Sequence, residues 1–116
     1  MTSTSSPSGP FLFCIDLETF LIEPGGGAPP PVCGGWTCYD AGVVQSGVVH
    51  VNGDAEGHWK PAPGGAALAQ LYRWGIERVR TEAAKGRVAR FINHNIVFDL
   101  AVVCAAYGDA DPTLIP

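Results

Sequence analysis

One segment near the start of the chain, FLFCIDLETF at residues 11–20, limits the possible folds more than any other feature. Its apolar residues are nearly continuous, a pattern typical of a central β-strand that is covered on both faces. Such a strand needs neighbouring strands on both sides and further layers packed against the sheet. With 116 residues, the chain has room for one modest domain built around it.

The following segments supply the other elements of an α/β fold. VCGGWTCYD and GVVQSGVVHV predict two further strands joined by a turn at residues 40–42, and the three strands together predict an antiparallel meander. A helix over residues 66–85, ended by Gly86, is predicted because apolar residues recur there at helical spacing. That apolar stripe consists of Leu68, Leu71, Tyr72, Ile76, Val79 and Ala83.

The last part of the chain completes a mixed sheet in this prediction. RVARFIN predicts a fourth strand, and a second helix containing Asp99 follows it. Residues 23–31 and 52–65 are rich in Gly and Pro and predict loops. The first ten residues predict a disordered tail, so the domain spans residues 11–116.

Composition and charge exclude several classes of protein. A hydrophobic content of 47% excludes global disorder, and a net charge of −4 argues against a protein that binds nucleic acid by bulk electrostatics. The basic residues between 73 and 90 are expected on a solvated helix face, with a DNA or partner contact as the alternative. No secretory signal or membrane span is visible, so we expect a cytoplasmic protein.

The four cysteines are even in number, which allows disulfides, but they lie in apolar segments, where reduced and buried thiols are common. A zinc site is the alternative for these thiols, but the sequence contains no C-x-x-C pair and no His close to a Cys along the chain. We therefore expect reduced cysteines without zinc.

Three carboxylates are the candidate functional residues. Asp16 and Glu18 are two residues apart in a strand, so their side chains share one face, where like charges repel unless a cation neutralises them. Asp99 is the one charged residue between positions 96 and 107. Hard cations such as Mg²⁺ and Mn²⁺ take carboxylate ligands, so the three could converge on one or two ions. Alternatively, Asp99 is a first-turn helix acid.

Two short segments resemble the motifs of one nuclease superfamily. CIDLET at residues 14–19 is similar to the first motif, D-x-E-T, of the DEDD-type 3′–5′ exonucleases, and NHNIVFDL at residues 93–100 is similar to their second motif. The chain most resembles the proofreading exonuclease domains of bacterial and phage family-A DNA polymerases. The resemblance implies a ribonuclease-H-like fold and a role in DNA replication, in a bacterial or phage-infected cell.

The same resemblance implies roles for individual residues. The implied catalytic residues and ligands of two Mg²⁺ or Mn²⁺ ions are Asp16, Glu18 and Asp99. The implied substrate-contacting residues are Leu17, Thr19, Asn95 and Phe98. For Asn95, a helix N-cap is an equal alternative, and His94 is expected to be structural. The implied reaction is two-metal hydrolysis of a single-stranded DNA 3′ end, with RNA less expected as the substrate.

The family has a fourth carboxylate, in a third motif on a later helix, accompanied by a Tyr or His. The acids that follow Asp99 here are Asp109 and Asp111, in a segment expected to be a surface turn rather than that motif. We therefore expect the amino-terminal part of such a domain, inactive by itself and completed by a further segment or second chain. The alternative is a non-catalytic remnant, or an interaction module that binds a metal or a partner chain completing the fold.

Overall fold

The computed structural model describes residues 9–21, 25, 27–63, 66–93, 99, 101, 102 and 105. The described elements are, in chain order, β1 (Phe11–Thr19), β2 (Pro31–Asp40), β3 (Val43–His50), β4 (Ala55–Gly57), α1 (Ala67–Ala84) and β5 (Ala89–Asn93). The five strands form one sheet with the order β4-β3-β2-β1-β5. The strands β1 to β4 pair antiparallel, whereas β5 runs parallel to β1 after the crossover through α1. The protein is therefore a small α/β domain with a mixed sheet.

The predicted three-strand antiparallel meander, the helix and the strand that follows the helix are confirmed. The prediction of a loop throughout residues 52–65 is wrong, because β4 pairs with β3 within that segment. Of the predicted second helix, Asp99, Ala101, Val102 and Ala105 have helical backbone, and its other residues lie outside the described part. No helix in the described part of the chain is both long and apolar enough to cross a membrane.

The helix α1 covers one face of the sheet. Along β1, the side chains that face α1 are buried, whereas Leu12 and Cys14 on the opposite face are half-buried and Asp16 and Glu18 are exposed. The prediction of cover on both faces is therefore not met among the described residues. We call the side opposite α1 the open face.

The apolar stripe of α1 packs on the buried side chains of the sheet. Leu68, Leu71 and Tyr72 are at most 1% exposed. Gly75 allows close approach, because a Cβ there would lie 2.5 Å from the ring of Phe13. The predicted place of Ala83 in the stripe is wrong. That residue is exposed, whereas its neighbour Glu82 is buried.

The burial of Glu82 is explained by the segment that follows α1. Gly86 has a φ of 87°, a conformation that favours glycine, and it ends the helix as predicted. The chain then turns Arg87 back, so that its guanidinium donates hydrogen bonds to Glu82 at 2.8 Å and to Asp40 at 2.7 Å. The same guanidinium donates to the Gly9 carbonyl at 2.9 Å. Arg87 is therefore buried, contrary to the solvated position expected for the basic residues.

Candidate metal site at the end of strand β1

Asp16 and Glu18 stand on the open face, near the carboxyl end of β1. Both are exposed, and their neighbours across the β1–β2 ladder are Gly35 and Cys33, respectively. Within the described part of the chain, neither carboxylate forms an ion pair. The two negative charges therefore share one face of the strand, as the D-x-E spacing predicted, and no cationic side chain of the described residues pairs with either.

A shallow depression of about 350 Å³ lies beside Asp16 on this sheet. It forms beside Gly35, which has no side chain on the open face opposite Asp16. Its other lining residues are Cys14, Asp16, Trp36, Thr37, Ser46, Gly47 and Val48. The depression leaves the Asp16 carboxylate accessible to a ligand from solvent.

Asp99 occupies a different environment. It is 2% exposed, and its Oδ2 accepts a hydrogen bond of 3.0 Å from Nδ2 of Asn93. The same nitrogen approaches the carbonyl oxygen of Ile15 at 3.2 Å and the hydroxyl of Tyr72 at 3.1 Å. Because Ile15 directly precedes Asp16, the Asn93 amide ties Asp99 to the carboxyl end of β1.

Both Asp16 and Asp99 affect the pKa of the buried Tyr72 hydroxyl. Burial raises the pKa of this phenol, and the hydrogen bond from Asn93 partly opposes the increase. The negative charges of Asp99 and Asp16 raise the pKa further, in that order. Both carboxylates therefore lie within electrostatic reach of one group at this end of the sheet.

The three carboxylates nevertheless approach from two sides. Asp16 and Glu18 are on the open face, whereas Asp99 contacts Asn93, whose side chain meets Tyr72 on the face covered by α1. Among the described residues, no three His, Cys, Asp or Glu side chains are gathered as a metal site would require. Their convergence on a metal therefore stays a prediction, although the oxygen donors suit a hard cation.

The residues expected to contact substrate occupy different environments. The Leu17 side chain is 6% exposed and lies against the core, near Gly34. The Thr19 hydroxyl donates a hydrogen bond of 3.0 Å to the Phe20 carbonyl at the end of β1. Asn95 and Phe98 lie outside the described residues.

Asn93 is the functional candidate that the sequence interpretation missed. It was given no role of its own, although it both ends a predicted strand and is the first residue of the segment NHNIVFDL that resembles the second motif. Tyr72 was assigned only to the apolar stripe of the helix. Its hydroxyl could have been suspected, because a buried phenol usually finds a hydrogen-bond partner.

No protein-family model, curated protein or solved structure matches this chain.

Proposed function

We propose that the chain is the amino-terminal, metal-binding part of a 3′–5′ exonuclease domain with a ribonuclease-H-like fold. The observation that best supports this proposal is the link between the two motif segments. Asn93 hydrogen-bonds both the buried Asp99 carboxylate and the carbonyl of Ile15, next to Asp16. A shared site needs its carboxylates at one end of the sheet, and this contact holds Asp99 there.

The donor set suits Mg²⁺ or Mn²⁺. Asp16 and Glu18 offer accessible carboxylate oxygens on one face, and Asp99 offers a third carboxylate from the last helical segment. In the complete site the bound ions would supply an activated water and stabilise charge on the phosphate. By the resemblance, Asp16 would contact both ions, and the substrate would be a single-stranded DNA 3′ end.

A fourth carboxylate is the missing part of this site. Three carboxylates leave two dications under-ligated, so we expect activity only when another segment or a partner chain supplies the fourth. One pair needs explicit testing, because Tyr107 and Asp111 have the Tyr-x-x-x-Asp spacing of a third motif. They follow the second motif without an intervening strand segment in the sequence, and they lie outside the described residues.

Metal binding is tested by thermal unfolding with and without Mn²⁺. A cation that binds the folded site raises the midpoint by linkage, and we expect this shift in the native chain but not in Asp16→Ala. Glu56→Ala is the matched control, since Glu56 is an exposed acid of β4. Equal Mn²⁺ shifts in all three proteins would contradict the assignment of the site.

Catalysis is tested by the release of mononucleotides from labelled single-stranded DNA with Mg²⁺ or Mn²⁺. We expect no release by the isolated chain and release when a segment carrying the third motif is supplied, in cis or as a partner chain. Robust release by the isolated chain, abolished in Asp16→Ala and Asp99→Ala, would overturn the expected inactivity. Loss of that release in Asp111→Ala would then identify the fourth carboxylate.

A second candidate, an interaction module, is favoured by the open face. Large apolar side chains are exposed there, with Tyr39 at 36%, Val44 at 61% and Ile92 at 40%. The strand β5 also forms an edge of the described sheet. In this alternative a partner chain covers the sheet. A Val44→Lys variant would then lose the partner and keep the Mn²⁺ shift, whereas Asp16→Ala would do the opposite.

A further inference from the structure

Three potential metal ligands stand in one row across the open face. Glu18 of β1 lies opposite Cys33 of β2, and Cys33 lies opposite His50 of β3. Directly opposed residues of antiparallel strands place their side chains on the same face, with Cβ atoms about 5 Å apart. The row therefore offers a carboxylate, a thiol and an imidazole, with the thiol in the middle.

The three side chains of the row are accessible from solvent, because Glu18 is exposed and Cys33 and His50 are half-buried. An ion arriving from solution can therefore reach all three donors.

The backbone is held by hydrogen bonds at the β2 and β3 end of the row. The amide of His50 donates to the Asp54 carbonyl at 2.8 Å, and the amide of Gly53 donates back to the His50 carbonyl at 2.9 Å. The amide of Val51 donates to the Val32 carbonyl at 2.9 Å, beside Cys33. These bonds fix the backbone beside Cys33 and at His50, whereas the β1–β2 register shifts directly after Glu18.

We propose that Glu18, Cys33 and His50 bind one divalent cation of the zinc class. Zinc accepts thiolate, imidazole and carboxylate ligands at about 2.0–2.3 Å. Cys33 is the middle residue of the row, and the side chains of Glu18 and His50 on either side are long enough to turn towards it. In the structure as described these donors are not yet gathered, so Glu18 and His50 must turn towards Cys33.

This site differs chemically from the carboxylate site and does not rest on the proposed nuclease function. A thiolate ligand favours zinc over Mg²⁺ and Mn²⁺, which prefer oxygen. Three protein ligands leave a fourth tetrahedral position for water or another ligand. Glu18 belongs to both sites, whereas Cys33 and His50 belong to the zinc-class site and Asp16 to the other.

The test uses Co²⁺ as a spectroscopic substitute for zinc, under reducing conditions. We expect the native chain to bind one Co²⁺ with a sulfur-to-cobalt charge-transfer band in the near ultraviolet, and Zn²⁺ to displace it. Cys33→Ser should lose the band, and His50→Gln should weaken cobalt affinity about tenfold or more. Cys14→Ser is the matched control, since Cys14 is another half-buried thiol of the open face, opposite Thr37.

The outcomes separate this inference from the nuclease proposal. Asp16→Ala should keep the cobalt band while losing the Mn²⁺ shift. Circular dichroism of every variant excludes a simple loss of folding, and His50→Gln provides a second test if Cys33→Ser does not fold. The inference is overturned if the native chain shows no thiolate band, if the band survives in Cys33→Ser, or if Cys14→Ser removes it.

Discussion

The charged residues near the two ends of β1 lie in contrasting electrostatic environments. At its start, Arg87 joins Glu82 and Asp40 in two ion pairs of 2.8 and 2.7 Å, and its own side chain is 4% exposed. We call these three residues the Arg87 cluster. At the far end, Asp16 and Glu18 are exposed without an ion pair in the described part, and Asp99 is buried against an amide.

This contrast separates a stabilising cluster from a candidate functional site. In the Arg87 cluster each buried charge is paired with an opposite charge, and the guanidinium also donates hydrogen bonds to backbone carbonyls. The cluster therefore connects α1 to the sheet. Among the described residues of the carboxylate end, the charges have one sign, and Oδ1 of Asn93 is buried without a hydrogen-bond partner. Charge that the fold does not compensate is typical of sites that bind ligands.

The largest effect is expected from Arg87→Met. The substitution would leave the buried Glu82 carboxylate without its main partner, and the Gly9 carbonyl and the Asp40 carboxylate would lose their hydrogen bonds from the guanidinium. The thermal midpoint should therefore fall by about 10 °C. Arg80→Met is the control, because it makes the same change on an exposed position of α1. Scanning calorimetry of the two variants compares them, and equal midpoints would show that the cluster does not stabilise the fold.

A smaller loss of stability is expected at acid pH. Hydrogen bonds from Arg87 and then Lys85 hold the pKa of Glu82 below its ordinary value of 4.5. Its stabilising contribution is therefore complete above 4.5 and is lost as the pH falls through the lower pKa of the folded state. In urea unfolding between pH 6 and pH 3, the free energy of unfolding should decrease less in Glu82→Gln than in the native chain.

The control for that series is Glu77→Gln, at an exposed position of the same helix. We expect the acid loss of this variant to follow that of the native chain. The same acid loss in Glu82→Gln and Glu77→Gln would mean that another carboxylate controls the acid transition.

Tyr72→Phe should lower the free energy of unfolding by about 1 kcal/mol or less. The Asn93 amide nitrogen has two hydrogens and three acceptors within 3.2 Å, so loss of the hydroxyl still leaves two acceptors. Urea unfolding at neutral pH measures the difference. A decrease of about 3 kcal/mol in the free energy of unfolding would show that the hydroxyl is required for the stability of the carboxylate end.

The smallest effect, and one of opposite sign, is expected from Asp16→Asn. Removal of one of two like charges on the same face should raise the free energy of unfolding by about 0.5 kcal/mol or less without metal. Asp40→Asn is the matched change at the other end of the sheet, and it should lower stability because it weakens an ion pair with Arg87. If both variants lost stability equally, the contrast between the two ends would be wrong.

Local patterns along the sequence determined most of the elements and part of the candidate site. A nearly continuous apolar run located β1, β-propensity located β2 and β3, helical spacing located α1, and Gly86 marked its end. The spacing of Asp16 and Glu18 also determined that they share a face, because strand side chains alternate. These features depend on neighbours in the chain and can be predicted without knowing what packs against them.

Tertiary structure decided which distant residues meet. Cys33 and His50 are 17 positions apart along the chain, and strand register alone makes them neighbours, so the sequence interpretation found no His near a Cys. Likewise, Glu82 is buried instead of Ala83 because Arg87 folds back to pair with it. Register and charge pairing are settled by long-range contacts, which the local sequence does not encode separately. The same holds for Asn93, whose amide reaches Asp99 and Tyr72 only in the folded chain.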